Sequence, residues 1–431
     1  MNTETITAFL AIGAIIFLGF FGNMIFTRFR VPDVLILILL GMAIGPDILG
    51  ERFNLVTYEA LAAIDNFKEI FLSAALVIIL FDAGLSLDIK SVFESMRLTA
   101  FMSVGAFLGS FISVGVALHL IMDMDLLLSL TLGAIVGGTS GAIVIPIVSK
   151  MRIRPQTKAM LITESIVTDV LVIVVALTLL TVIMTGELSL TSVSMDLASK
   201  FLVGAVVGFV VGVGWLFVLQ RMQNQPLCYM ITLAALVMVA GIVEMPPISS
   251  SGAVAALTFG LAIGNKQFIK RRLTSLSLNA VSNLQIQQFH TEITFFVRTF
   301  FFVYLGLFFR FETFTEVHLV TGLLVISMVV LVRWITSMTA WKLGDLNIED
   351  AETVFASMPR GLAAAVLATL PAVMLAGNTS IWSEGLGALF LNTTLIVILG
   401  TTIIATILSF ATEKGIDRRT RIALRKRLAG P

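Results

Sequence analysis

Apolar stretches long enough to cross a membrane recur along the whole sequence, and this pattern limits the fold more than any other feature. A helix of about twenty apolar residues spans the hydrocarbon core of a bilayer. Here 58% of the 431 residues are hydrophobic and only 13% are charged. The pattern predicts an all-α integral membrane protein with a single transmembrane domain over residues 1–412, rather than a soluble core.

The apolar stretches divide into thirteen predicted transmembrane helices. They cover residues 6–26, 31–45, 70–87, 98–122, 126–149, 159–185, 201–220, 227–243, 251–264, 293–309, 317–341, 354–377 and 386–412. The second and ninth are short. The longest polar connection, residues 266–292, is expected to form an amphipathic surface helix before the tenth span.

The distribution of lysine and arginine predicts the orientation of these spans. If the amino terminus is outside, the inward-facing segments and the tail hold 21 of the 28 basic residues, and the outward-facing segments hold only 4. Cytoplasmic segments carry an excess of Lys and Arg in membrane proteins. We therefore expect an outside amino terminus and a short basic cytoplasmic tail over residues 413–431. The opening "MNTET" lacks a basic n-region, so the first span is expected to be retained.

Composition argues against several other classes of protein. The single cysteine, Cys228, can form neither an internal disulfide nor a cysteine metal cage. His119, His290 and His318 are scattered without ligand spacing, which argues against zinc or haem, and no cofactor is expected. A formal net charge of +1 argues against nucleic-acid binding.

Two glycine-containing motifs repeat at nearly one offset. "GMAIG" at residues 41–45 returns as "GLAIG" at 260–264, 219 positions on, and Gly84 of "FDAGLSL" lies 222 positions before Gly306 of "VYLGLFF". The paired spans are seven apart, so they cross the membrane in opposite directions. This predicts an inverted repeat of residues 6–185 and 227–412 around a connector helix at 201–220, an arrangement typical of secondary transporters.

The fifth and twelfth spans both contain helix-breaking residues. The fifth holds "VGGTSGAIVIP", and 220 positions later the twelfth holds "SMPRGLAAA". Glycine and proline weaken regular helical hydrogen bonding, and unwound segments at matching places in two repeats expose carbonyls that can bind an ion. We expect two discontinuous crossing helices. The alternative is that the glycines serve close helix packing.

Five charged side chains lie well inside the predicted spans. They are Asp82, Glu164, Asp169, Arg333 and Arg360. Each costs at least ~2.5 kcal/mol at a helix centre, so each should be paired, solvated or functional. The two acids of "LITESIVTDV" are five residues apart and point in different directions on a helix. An ion pair with an arginine accounts for one acid and leaves the other free.

A free buried acid can couple two ions. Burial penalises the charged carboxylate, and either a proton or a monovalent cation neutralises it, so the two compete for one site. If the carrier changes face only when the acid is neutralised, uphill movement of one ion is coupled to downhill movement of the other. Hydroxyl, carbonyl and carboxylate oxygens suit a hard cation.

The ordered motifs "LFDAGLSL", "GGTSGAIVIP", "TESIVTD", "FFVYLGLFF", "LVRWITS" and "MPRGLAAAVLATLP" resemble those of the monovalent cation/proton antiporters of prokaryotes. The similarity covers nearly the whole chain and is closest to the electroneutral sodium/proton branch. It implies a secondary transporter rather than an enzyme. It also implies a homodimer in the lipid bilayer of a prokaryotic plasma membrane.

The resemblance also implies roles for individual residues. Asp169 matches the shared cation and proton site, with Ser165 as a side-chain ligand and Thr139 offering its hydroxyl or carbonyl, so that Na+ would bind at these three. Glu164 matches the family's structural acid, which pairs with an arginine that matches Arg333.

Two further charged residues match positions outside that set. Asp82 matches an acid of the third helix and is expected to contribute to the ion pathway. Arg360, between Pro359 and Gly361 on the discontinuous twelfth helix, matches an arginine for which a structural or gating role is expected.

Two residues depart from the family pattern near the cation site. Thr168 stands where the electroneutral branch has Asn and the electrogenic branch has a second Asp. Threonine does not titrate, so one proton is expected to exchange for each cation. Ser140 stands where many relatives have Asp, which removes a negative charge and leaves the choice between sodium and potassium open.

The sequence therefore predicts an antiporter that exchanges H+ for Na+ or Li+ by alternating access. A core of spans five, six and twelve, with four, eleven and thirteen, is expected to move against a scaffold. A K+/H+ antiporter with the same mechanism is the nearest alternative, and a channel is another. A membrane-embedded enzyme using Glu164 and Asp169 as an acid pair is disfavoured, because the sequence shows neither a metal-ligand set nor a nucleophile with its base.

Overall fold

The computed structural model describes most of the chain. Described residues are 33–53, 56, 68–86, 89, 96–151, 153–186, 190–222, 228–272, 283–307, 309, 314–375 and 382–428, with single residues between 13 and 24. Every regular element in this part of the chain is helical, and no strand occurs in it, which confirms the predicted all-α class. The first predicted span, residues 6–26, lies largely outside the described residues.

The helices fall on the predicted spans, but three of them extend beyond the predicted ends by about ten residues or more, and the last one continues through most of the predicted tail. They are α1 (Asp33–Ile44), a π-helical turn (Pro46–Gly50), α2 (Lys68–Ser86), α3 (Met96–Met122), α4 (Leu126–Ile135), α5 (Gly141–Lys150), α6 (Pro155–Thr185), α7 (Leu190–Arg221), α8 (Cys228–Glu244), α9 (Gly252–Gly264), α10 (Lys266–Arg272), α11 (Asn283–Leu307), α12 (Glu316–Lys342), α13 (Ile348–Ala356), α14 (Leu362–Met374) and α15 (Glu384–Leu428).

Five stretches within the described residues are long and apolar enough to cross a membrane. They are Arg97–Met122, Gln156–Thr185, Leu202–Arg221, Glu316–Lys342 and Gly385–Gly415. The shorter apolar helices include one half of each discontinuous span, α4 and most of α14. These two helices are short because the helix is interrupted within the apolar stretch. In the polar connection at 266–292, the structure describes a helix only over α10 and from the start of α11.

The chain forms two compact units. The first contains nearly all of α1, together with α2 and α7–α11, and the second contains α3–α6 and α12–α15. The second unit therefore holds the fourth, fifth, sixth, eleventh, twelfth and thirteenth predicted spans. These are the six spans that the sequence assigned to the moving core.

The repeated glycines of the first unit are close-packing residues. A methyl group at Gly41 would lie 2.9 Å from the Cα of Gly306, so α1 and α11 touch backbone to backbone. A methyl group at Gly84 would lie 2.8 Å from the backbone nitrogen of Leu261, and one at Gly260 would lie 3.1 Å from that of Leu85. The second and tenth spans thus contact each other through Gly41 and Gly306, and the third and ninth through the corresponding Gly84 and Gly260, which is the relation expected of an inverted repeat.

The two discontinuous helices of the second unit meet at their breaks. The fifth span is interrupted between α4 and α5, and the twelfth between α13 and α14. The backbone N–H of Ser140 donates a hydrogen bond of 2.8 Å to the carbonyl of Pro359. A side-chain atom at Gly361 would overlap the hydroxyl of Ser140. The predicted pair of discontinuous crossing helices is therefore confirmed.

Candidate functional site

Asp169 is a half-buried acid in the middle of the long helix α6. No hydrogen bond or ion pair joins its carboxylate to another residue in the described part of the chain. Most buried acids in proteins are paired or hydrogen-bonded, because an isolated charge is costly there. An acid without such a partner is a candidate for binding an exchangeable ion.

Ser165 lies one turn before Asp169 on the same face of α6. Its hydroxyl is buried and donates a hydrogen bond of 2.9 Å to the carbonyl of Leu161. This bond uses the hydroxyl hydrogen and leaves the oxygen lone pairs able to accept. Ser165 can therefore serve as an oxygen ligand beside the Asp169 carboxylate.

Thr168 fastens the break of the fifth span to α6. Its hydroxyl donates to the carbonyl of Ser165 at 3.1 Å and accepts the backbone N–H of Thr139 at 3.1 Å. The two threonine hydroxyl oxygens are also 3.3 Å apart. Both side chains are buried. The contact therefore holds the unwound segment against α6 at Thr168, directly before Asp169.

The unwound segment also requires glycine at its contact with α6. A methyl group at Gly138 would lie 2.6 Å from the side chain of Val172 and 3.1 Å from the carbonyl of Thr168. The carbonyls of residues 136–139 accept no hydrogen bond from any described residue. The glycine thus permits close packing, and the same segment supplies carbonyl oxygens suited to a hard cation.

Glu164 has a different environment from Asp169, although it lies on the same helix. The guanidinium of Arg333 on α12 binds its carboxylate with two nitrogens, Nη1 to Oε1 and Nη2 to Oε2, the latter at 3.0 Å. The Nε of Arg333 donates to the carbonyl of Val354 on α13 at 2.8 Å. Both charged side chains are buried, and together they join α6, α12 and α13.

Arg360 lies inside the break of the twelfth span and is almost fully buried, with 2% of its surface exposed. Its Nη2 lies 3.3 Å from the hydroxyl of Ser110 on α3, and its backbone N–H donates to the hydroxyl of Thr401 on α15 at 3.1 Å. Its Nε has no hydrogen-bond partner among the described residues. These contacts hold the break between α3 and α15, with Pro359 and Gly361 on either side.

Asp82 belongs to the first unit, whereas the other predicted site residues belong to the second. Its Oδ1 lies 3.4 Å from the Nε2 of His290 on α11. The structure therefore groups Asp169, Ser165, Thr139, Thr168 and Ser140 within one unit and gives Asp82 a partner that the sequence did not indicate.

A second unforeseen contact joins Arg154, just before α6, to Asp350 on α13. Asp350 is buried and its backbone N–H is capped by Asn347 at 2.7 Å. The sequence shows Arg154 only as one of several cationic residues of an inward-facing loop. No spacing rule relates residues so distant in the chain.

The chain matches the family model described as "Sodium/hydrogen exchanger, transmembrane" over residues 13–412. It is 26% identical to the Na+/H+ antiporter NhaH of Halobacillus aidingensis over 54% of this chain and 58% of that protein, less than two thirds of that relative. It is 23% identical to the probable Na+/H+ antiporter 2 of Methanocaldococcus jannaschii over 89% of this chain and 88% of that protein.

A solved structure shares this fold. It is the sodium proton antiporter MjNhaP1 of Methanocaldococcus jannaschii at pH 8, which superposes with a TM-score of 0.76 at 20% identity, covering 94% of this chain and 99% of that one. The family model spans nearly all of the transmembrane helices described above, including both discontinuous ones. This multi-pass membrane protein belongs to the sodium/hydrogen exchanger family.

Proposed function

We propose that the protein exchanges Na+ for H+ across a membrane and that Asp169 is the site for which the two ions compete. The observation that carries this proposal is the contrast between two acids on α6. Arg333 occupies the Glu164 carboxylate, whereas no described residue occupies that of Asp169. Ser165 and the unwound segment around Thr139 supply further oxygen atoms in the same unit.

The expected stoichiometry is one proton for each cation. A single carboxylate changes charge by one when it takes up a proton or a monovalent cation. Thr168, which stands beside Asp169, does not titrate, and its hydroxyl is already engaged with Ser165 and Thr139. The exchange is therefore electroneutral.

Alternating access is expected because the whole Asp169 site lies within one of the two units. The second unit contains both breaks, Asp169 and the Glu164–Arg333 pair, so the ion site can move as one body with its supporting helices. The first unit acts as the scaffold. By family resemblance the protein is a homodimer in a prokaryotic plasma membrane with its amino terminus outside.

Na+ is the favoured cation, with Li+ as a second substrate, because the relatives named above are Na+/H+ antiporters. K+ is the alternative. Ser140 is buried against Gly361 and brings no charge to the breaks, so the site around Asp169 holds fewer negative groups than one with aspartate there. A site with fewer negative groups attracts a cation less strongly. It therefore favours K+, which is more easily dehydrated than Na+.

Reconstitution into vesicles with an internal pH dye tests this function. Addition of Na+ should drive proton movement in the wild-type protein, and Asp169→Asn should abolish it. Asp125→Asn is a matched control, because Asp125 caps α4 through the backbone N–H groups of Leu127 and Leu128 and asparagine caps equally well. Sodium-driven proton movement that persists in Asp169→Asn would overturn the assignment. A response to K+ that equals the response to Na+ would select the alternative cation.

A further inference from the structure

Three polar side chains from three helices of the first unit form a chain of contacts. The Tyr229 hydroxyl on α8 lies 2.6 Å from the Nδ1 of His290 on α11. The Nε2 of His290 lies 3.4 Å from the Oδ1 of Asp82 on α2. The histidine side chain is 1% exposed and that of Asp82 is 41% exposed, so the chain connects a partly exposed carboxylate to a buried ring.

The contact with tyrosine sets the histidine tautomer. A phenol donates readily, so Nδ1 accepts from Tyr229 and the proton of a neutral ring lies on Nε2. Nε2 hydrogen-bonds with the hydroxyl of Thr294 on the same helix at 3.2 Å, and the Asp82 carboxylate lies 3.4 Å from the same nitrogen. The ring of Phe81 packs edge-on against the imidazole, with centroids 4.8 Å apart, and fixes its plane.

The charges that face this chain come from α2, α8 and α11. Asp82 on α2 is within electrostatic range of Arg298 on α11 and of Tyr229 on α8. Arg298 lies two helical turns beyond His290 on α11. With Tyr229 as the donor to Nδ1, the imidazole carries one proton, on Nε2, so Asp82 is the group of the chain that gains or loses charge.

We propose that His290 is a positioning residue for Asp82 and that this pair sets the pH at which cation exchange becomes active. With Asp82 ionised, the Nε2–H edge of the His290 ring lies 3.4 Å from its carboxylate and stabilises the negative charge electrostatically. When a proton arrives it binds a carboxylate oxygen of Asp82, the negative charge is lost, and the imidazole keeps its own proton. Tyr229 holds the imidazole so that the donor faces Asp82 in both states. The inference rests on the proposed exchange function but uses none of the residues of the Asp169 site.

His290→Phe tests this role, because phenylalanine keeps a planar ring between Phe81 and Tyr229 but offers no donor. The ionised Asp82 loses the polar N–H edge that faces it at 3.4 Å, so it takes up a proton at higher pH. The acidic limb of the pH profile of sodium-driven proton movement should therefore move to higher pH by about one unit. Tyr229→Phe should move the limb in the same direction by less. It removes only one oxygen atom, so it still tests the role if His290→Phe does not fold.

Two controls separate positioning from general damage to the fold. His119→Phe changes a histidine of the other unit that contacts only the carbonyl of Met124 among the contacts described for it, at 2.8 Å, and should leave the profile in place. In an Asp82→Asn background, His290→Phe should add no further shift, because the partner it positions is no longer ionisable.

The outcomes distinguish this inference from the proposed function. If the wild-type protein drives no proton movement with Na+, both are overturned. If the wild type exchanges the ions but His290→Phe and Tyr229→Phe both keep its pH profile, the positioning role alone is overturned. A full shift by His290→Phe in the Asp82→Asn background would also overturn it.

Discussion

At the scale of single residues, the partners of Glu164 and Asp169 distinguish two acids that share one helix. Glu164 is bound by two nitrogens of Arg333, whereas no described residue binds Asp169. Removing one member of a buried ion pair leaves the other charged and without its partner, which is far more costly than removing both. The same chemical group therefore stabilises the fold at one position and stays available to an ion at the other.

Single changes in the Glu164–Arg333 pair should destabilise the protein strongly. Arg333→Met and Glu164→Gln should each lower the free energy of unfolding by about 3–5 kcal/mol, and the double variant should lose less than the sum of the two. Thermal unfolding in detergent measures the effect, with Arg221→Met at an exposed helix end as the control. An Arg333→Met protein as stable as the wild type would contradict a structural role for the pair.

The spacing of Glu164 and Asp169 in the sequence predicts that they point in different directions. The family motifs predict Arg333 as the partner of Glu164. Other contacts could not be predicted. Thr139 and Thr168 are 29 residues apart, and a hydroxyl–amide contact between two helices follows no spacing rule. The spacing of His290 predicts no metal site and indicates no other role for it, whereas the structure places its ring 3.4 Å from the Asp82 carboxylate.

At the scale of helices, the two discontinuous spans cross at their breaks and contact each other there. Ser140 joins the first break to the second through the Pro359 carbonyl, and Thr168 joins the first break to α6. Glycine at positions 138 and 361 lets these backbones approach, because any side chain there would overlap a neighbour. The geometry of the site therefore depends on two residues that carry no functional group.

Alanine at either contact glycine should disable transport and spare the fold. Gly361→Ala pushes Ser140 away, and Gly138→Ala pushes α6 away, so each should lower sodium-driven proton movement at least about tenfold, since displacement of about 1 Å at a functional site has large effects. Circular dichroism should show unchanged helix content. Gly105→Ala is the matched control, because its methyl group would meet its nearest neighbour at 4.0 Å. Full activity of Gly361→Ala would contradict the crossing geometry.

The positions of both breaks were predictable, because glycine and proline interrupt an otherwise apolar helix at a local level. Which break touches which neighbour was not predictable, since that depends on packing between separate helices, as between Thr139 and Thr168 or between Ser140 and Pro359. The repeated glycines at 41 and 260 indicate internal repetition in the sequence. Their contacts add that they are also the closest packing points of the first unit.

At the scale of the whole molecule, the chain divides into two units that interleave along the sequence. Among the described spans, two, three and seven to ten build the first, and four to six and eleven to thirteen build the second. Apolar length and the excess of inward-facing basic residues predict the spans and their orientation. The sequence predicts which spans form the moving core, because the motifs of the ion site fall on those helices.

The predicted orientation can be tested with single cysteines in a Cys228→Ser background. Glu316 and Lys342 lie exposed at opposite ends of α12. A membrane-impermeant maleimide applied to intact cells should label Glu316→Cys and leave Lys342→Cys unlabelled until the cells are permeabilised. Labelling of Lys342→Cys alone in intact cells would contradict an outside amino terminus.

The central claim is that one carboxylate, Asp169, binds either a proton or Na+. The most direct test measures protons released by the purified protein in weakly buffered detergent when Na+ is added, with calorimetry for bound Na+. We predict about one proton released for each Na+ bound by the wild type and no release by Asp169→Asn. Release from Asp169→Asn at the wild-type level would contradict the account.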